Sequence, residues 1–300
     1  MIKYQPKSVL NIKAELGEHP IWSATGACLY WLDIENSTIN RFVPATSKNT
    51  IWKLPSRPGC FALQADGRAI IAAQDGFYEM DFAAGLVELT IPPAHDPAVM
   101  RFNDGRTDRQ GRLWVSTVRV DMDLTNTVGN AYYRLNGQDL EQVLNSVGIP
   151  NGTAFSPDGK TMYRAQSELR QIFSYDYDCA SGTPSNPRLF ATVPTEYGMP
   201  DGAAVDTQGG YWVALAAPPG GPPTGGVARF TPDGKMDRHF NLPVPFVTMV
   251  AFGGRDLSRL YITTARLEAF MPQGVPEGAG DLFAVETDFQ GVAESMFTAA

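Results

Sequence analysis

Four oxygen-bearing residues, Glu18, Asn103, Asn151 and Asp201, each stand eight positions before the last residue of a tight turn. The turns are Ala24-Thr25-Gly26, Ala65-Asp66-Gly67, Arg109-Gln110-Gly111, Pro157-Asp158-Gly159, Thr207-Gln208-Gly209 and Gly254-Arg255-Asp256, and the same count gives Gly59 and Thr248 for the other two. Carboxylates mixed with neutral amide carbonyls suit calcium, magnesium, manganese or a borderline zinc site, whereas a closed structural zinc site calls for paired His or Cys that this pattern lacks. If the four converge in a buried channel, a divalent ion is their simplest partner, because an unpaired carboxylate in an apolar setting is costly. The competing reading is that Asn-Gly and Asp-Gly steps are ordinary turn chemistry. Spacing alone leaves both open.

Arg57 and Arg101 lie two positions before Gly59 and Asn103, on the same side of a strand by period-two alternation. Such an Arg binds substrate oxygens or closes a rim salt bridge. His19 should point away from Glu18 and pack, Cys60 reads as a small core residue, and His95 and His239 read as surface residues.

The six turns are spaced 41, 44, 48, 50 and 47 residues apart, within the range of propeller blades. Each repeat divides into about four short segments rich in β-branched and aromatic residues, as at 19–22, 28–34, 38–42 and 49–54 of the first. The expected fold is therefore all-β, a six-bladed β-propeller with four antiparallel strands per blade, in which equivalent positions converge on one axis. Up-and-down connectivity then gathers residues 118–130, 216–225 and 264–280 at the same mouth as Glu18, with the proline-rich 217–223 as a rim loop. Residues 9–16 and 291–297 both read as outer strands able to close the ring.

Repeats from end to end argue for a single domain over 1–300. Hydrophobic residues at 43% and charged ones at 19% are a globular composition with enough apolar side chains for a sizeable core. A net charge of −8 without a basic run disfavours a nucleic-acid or anionic-membrane partner. No stretch has the apolar length of a signal or a membrane span, and three scattered cysteines fit a reducing compartment, so a cytoplasmic monomer or weak homodimer is expected. Asp121-Met122-Asp123 opens no EF-hand, since Tyr132 stands where the twelfth-position Glu belongs. Serine-hydrolase elbows, phosphate loops and His-Glu-x-x-His are absent from the sequence.

The phrases Leu16-Gly17-Glu18-His19-Pro20, Leu29-Tyr30-Trp31-Leu32-Asp33-Ile34, Arg101-Phe102-Asn103-Asp104-Gly105, Pro150-Asn151-Gly152, Ser156-Pro157-Asp158-Gly159-Lys160 and Pro200-Asp201-Gly202 together resemble the senescence-marker-protein-30 (regucalcin), gluconolactonase and luciferin-regenerating-enzyme family. The resemblance runs in order along nearly the whole chain. It implies a six-bladed propeller, Glu18, Asn151 and Asp201 as ligands of one divalent ion, and Arg101 and Asn103 as contacts to substrate or water. An acidic substrate contact of some members falls near Asp121. The chain departs from the family's pattern at Ser116-Thr117-Val118 and at Ala165-Gln166, both near the mouth.

The expected activity is opening of a sugar-derived lactone, of the aldonolactone type, by water made nucleophilic by the ion. Asp201 is the expected general base and Asp104 the weaker candidate. Two rival readings are a metal-dependent hydrolase of another ester or organophosphate, and a non-enzymatic calcium-binding regulator. Three or four protein ligands would leave a hard cation's shell incomplete, which favours catalysis.

Overall fold

The computed structural model describes residues 4–121, 123, 125–145, 147–268 and 271–298. Six four-stranded antiparallel sheets form a six-bladed β-propeller. The innermost strands are Gly17–Ser23, Pro58–Leu63, Met100–Thr107, Pro150–Phe155, Met199–Val205 and Val247–Gly253, and each touches the next around a closed ring. Lys7–Leu10 pairs with Leu282–Glu286 as the outer strand of the sixth blade, so residues from the two ends of the chain share one sheet. Of the two segments expected to close the ring, the N-terminal one does so.

The C-terminal segment departs from expectation. With the outer edge of the sixth blade already filled, it crosses the far face of the ring, bridging Asp206 at Gly291 and Gln64 at Phe297. Glu294 within it accepts a 2.8 Å bond from the buried Arg106, and Phe297 sinks into the core between blades two and three.

Alternation buries one large side chain after another between blades. Trp31, Trp114 and Trp212 of the second strands are each at most 2% exposed. Each such burial contributes about 1.5–3 kcal/mol, and the contribution is spread around the ring rather than lodged at one centre. No helix among the described residues is long and apolar enough to cross a membrane.

One device recurs in all six innermost strands. The pairing register to the second strand slips at Glu18/Ile21, Pro58/Cys60, Phe102/Gly105, Asn151/Ala154, Pro200/Ala203 and Val247/Met249. A bulge bends a strand and re-aims the side chain beside it, here at the mouth of the channel. After Asn151 the bulge is taken by Gly152 at φ +62°, and after Glu18 by His19 at φ +49°, an uncommon conformation for a non-glycine residue.

Gly59, the second blade's equivalent of the polar positions, has a steric reason to be glycine. A Cβ there would lie 2.4 Å from the backbone carbon and oxygen of Phe102, closer than real contacts allow. Gly59→Ala is expected to force blades two and three apart at a cost on the order of 2–3 kcal/mol, measured as a lower thermal midpoint. An unchanged midpoint would show that this seam yields freely.

Candidate active site

Glu18 from the first blade, Asn103 from the third, Asn151 from the fourth and Asp201 from the fifth line one cleft with Arg101. The loops predicted at this mouth contribute Val118, Asn126, Pro218 and Leu267. Thr248, the sixth equivalent, is fully buried, its hydroxyl 2.5 Å from the Gly17 carbonyl oxygen and 2.9 Å from the Thr263 hydroxyl. It secures the seam between blades six and one instead of facing the cleft.

A chain of hydrogen bonds crosses the floor from blade to blade. Arg101 Nη1 donates to Asn103 Oδ1 at 2.9 Å and to the Phe102 carbonyl at 2.9 Å. Asn103 Nδ2 donates to Asn151 Oδ1 at 2.9 Å and to the Pro150 carbonyl at 3.1 Å. Asn151 Nδ2 donates to Ser167 Oγ at 3.0 Å, and Ser167 Oγ donates to the Pro200 carbonyl at 2.7 Å, beside Asp201. The chain fixes which amide atom is oxygen, and it leaves Asn151 Oδ1 a second lone pair.

The two carboxylates are out of balance. Burial, reinforced by the Asp104 carboxylate, pushes the Glu18 acid well above its ordinary range, although the His19 amide donates to its Oε2 at 2.9 Å. Burial and the charge of Glu18 do the same to Asp201. Among the described residues neither carboxylate forms an ion pair. Burial, with Arg57 nearby, lowers Arg101 to about 10, so it stays charged at neutral pH; it hydrogen-bonds Phe102 and Asn103, and its charge offsets part of the rise in Glu18 and Asp201. Two buried acids that form no ion pair, in one cleft with an amide oxygen that has a spare lone pair, form a donor set that fits a hard divalent cation.

Other expectations sort by geometry. His19 is buried, its Nε2 donates to the Phe61 carbonyl at 2.8 Å, and burial lowers its pKa to about 3, so it packs as a neutral imidazole near neutrality. Cys60 lies in the core with its thiol pushed well up by burial. Arg57 is paired with Glu35, the salt-bridge alternative of the two readings left open for it. His95 and His239 are half-buried rather than surface residues. The His95 ring packs 4.7 Å from Phe102 and bonds the Gln74 carbonyl, and His239 packs 4.4 Å from Tyr197, contacts that no short motif announces.

Asp104 is buried below the cleft, and its Oδ2 accepts the Thr153 amide at 2.7 Å. Burial raises its acid to about 6. Asp121 is bound to Arg119 at 2.6 Å with half its side chain exposed and does not line the cleft, whereas Asp123, two residues on, does. The spacing pattern also passed over Ser167 and Asn130, which line the cleft from outside the innermost strands. Asn130 donates to the Gly148 carbonyl at 2.6 Å and keeps a buried, unpartnered Oδ1.

Residues 16–266 match the SMP-30/Gluconolactonase/LRE-like region. The chain is 35% identical over 296 residues to the 6-deoxy-6-sulfogluconolactonase of Pseudomonas putida, covering 97% of this chain and 98% of that one. It is 32% identical to the L-arabinolactonase of Azospirillum brasilense, covering 98% and 95% respectively. The solved structure of a calcium-binding protein, regucalcin, from Agrobacterium tumefaciens superposes with a TM-score of 0.89 at 26% identity, covering 98% of each chain.

Proposed function

Because the chain belongs to the SMP-30/gluconolactonase/LRE-like family, we propose that it is a divalent-cation-dependent lactonase that opens a sugar-derived lactone to the free acid. The observation that carries this reading is the pair of buried carboxylates, Glu18 and Asp201, which form no ion pair among the described residues, keep raised acids despite the nearby Arg101 charge, and line one cleft with Asn151. Relatives named as lactonases for several different sugars support the reaction class.

Glu18, Asn151 and Asp201 would hold the ion. When bound, it would supply polarisation of the lactone carbonyl and a water acidic enough to attack at neutral pH. Arg101 and Asn103, pre-set by their mutual bond, orient the ring oxygens, and Arg101 offers positive charge as the carbonyl oxygen becomes anionic. Asp201 takes the proton of the attacking water and returns it to the alkoxide that leaves as the ring opens. Asp104 is the poorer base, since it does not line the cleft and one of its oxygens is already bonded to Thr153.

Acid release from a panel of aldonolactones, assayed with calcium, magnesium, manganese and zinc in turn, tests the proposal. Turnover that depends on one of these ions supports it, and failure with every lactone and every ion overturns it. Arg101→Lys keeps the charge and loses the planar fork, so KM should rise or kcat fall about 10-fold or more while cation affinity stays nearly unchanged. Equal loss of cation binding would move Arg101 from the substrate to the ion.

A further inference from the structure

The walls above the polar floor are divided. On the third-blade side stand Arg119, Asp123, Asn126 and Asn130. From the fifth blade through the sixth to the first, the wall carries Met199, Pro218, Pro219, Phe246, Leu267 and Leu16, an apolar arc in which no described lining residue is Lys or Arg. Three backbone carbonyls along this arc are also engaged. The carbonyl of Leu16 accepts the Ile34 amide at 2.9 Å, that of Pro218 the Gly221 amide at 2.9 Å, and that of Phe246 the Ala265 amide at 3.0 Å. A hydroxyl pressed against such a surface gives up water without gaining a partner, and a sulfonate or phosphate finds no cation there. A methyl group meets only apolar neighbours.

Resting on the lactonase reading, we propose that the site selects lactones whose ring hydroxyls face the third blade and whose exocyclic end is a hydrocarbon, as in 6-deoxyaldonolactones. The apolar arc discriminates against a terminal hydroxymethyl and more strongly against a charged terminus. A well-shaped apolar pocket separates neighbours of this size by roughly 10–200-fold, and the low end of that range is expected here because Pro219 stands open to solvent.

The test compares 6-deoxy and 6-hydroxy 1,4-lactones of matched galacto and manno configuration, together with glucono-1,5-lactone and its 6-phosphate, on the metal-loaded protein. We expect kcat/KM about 10-fold higher for the 6-deoxy member of whichever pair is turned over, expressed chiefly in KM, and the phosphate to be worse than its parent. Leu267→Asn should bring the deoxy and hydroxy members within about 2-fold of each other. Met199→Gln should shift the ratio the same way should the first variant fold poorly. Hydrolysis of the lactones with the hydroxylated member equal or preferred overturns this inference and leaves the lactonase reading standing, as does an unchanged ratio in both variants. No turnover of any lactone overturns the reading itself and the inference with it.

Discussion

Glu18→Ala is expected to lower lactone hydrolysis by roughly 10³-fold, because polarisation of the reacting carbonyl is worth several kcal/mol and about 1.4 kcal/mol corresponds to each factor of ten. The same variant should lose the rise in melting temperature that a cation bound only by the folded protein produces. Its metal-free stability should move the other way. Burial raises the folded-state pKa of Glu18 and Asp201, with the Asp104 charge adding to the first and the Glu18 charge to the second. The metal-free native state therefore holds these protons more tightly than the unfolded chain, and that stability is lost as pH climbs through and above the ordinary carboxylate range. Removing Glu18 relieves the repulsion, so at neutral pH the metal-free variant should melt no lower than metal-free wild type. A variant that melts several degrees lower without metal and still gains stability from the cation would show that Glu18 is a structural residue.

Asp201→Asn separates holding the ion from moving the proton. Asparagine keeps an oxygen donor of similar size and loses the charge and the basicity. Cation affinity should fall, and turnover should remain down by roughly 10²–10⁴-fold after the cation is raised to saturation, the scale of a lost general base. Full recovery at saturating cation would restrict Asp201 to ligation and pass the proton to Asp104 or to solvent.

Much of this was legible in the chain because a propeller writes its geometry as a repeat. Once the six turns are aligned, Glu18, Asn103, Asn151 and Asp201 fall at one position, and the bulge at each of those positions turns them toward the axis. Gly59 and Thr248 occupy the same position and do other work, one making room for the neighbouring backbone and one bonding a seam. That distinction depends on the approach of the adjacent blade, which no local pattern encodes. Ser167 escaped notice because it stands outside the repeated strand, and Asn130 was placed at the mouth only as the end of the 118–130 loop. Asp121 and Asp123 are two residues apart on an irregular loop, where alternation no longer says which one turns inward. The C-terminal strap was misread as an outer strand; its two β-bridges are single-residue contacts to opposite blades, which no local pattern announces.

One divalent cation, held by Glu18, Asn151 and Asp201, is proposed to be required for lactone opening. The most direct test strips the protein with a chelator, removes the chelator, and titrates a divalent cation back while following heat of binding and acid release from one accepted lactone together. The account predicts negligible turnover before addition, a single binding step of one cation per chain, and activity rising in proportion to that step. Full lactone turnover by verified metal-free protein, or activity that ignores occupancy of the site, would contradict it.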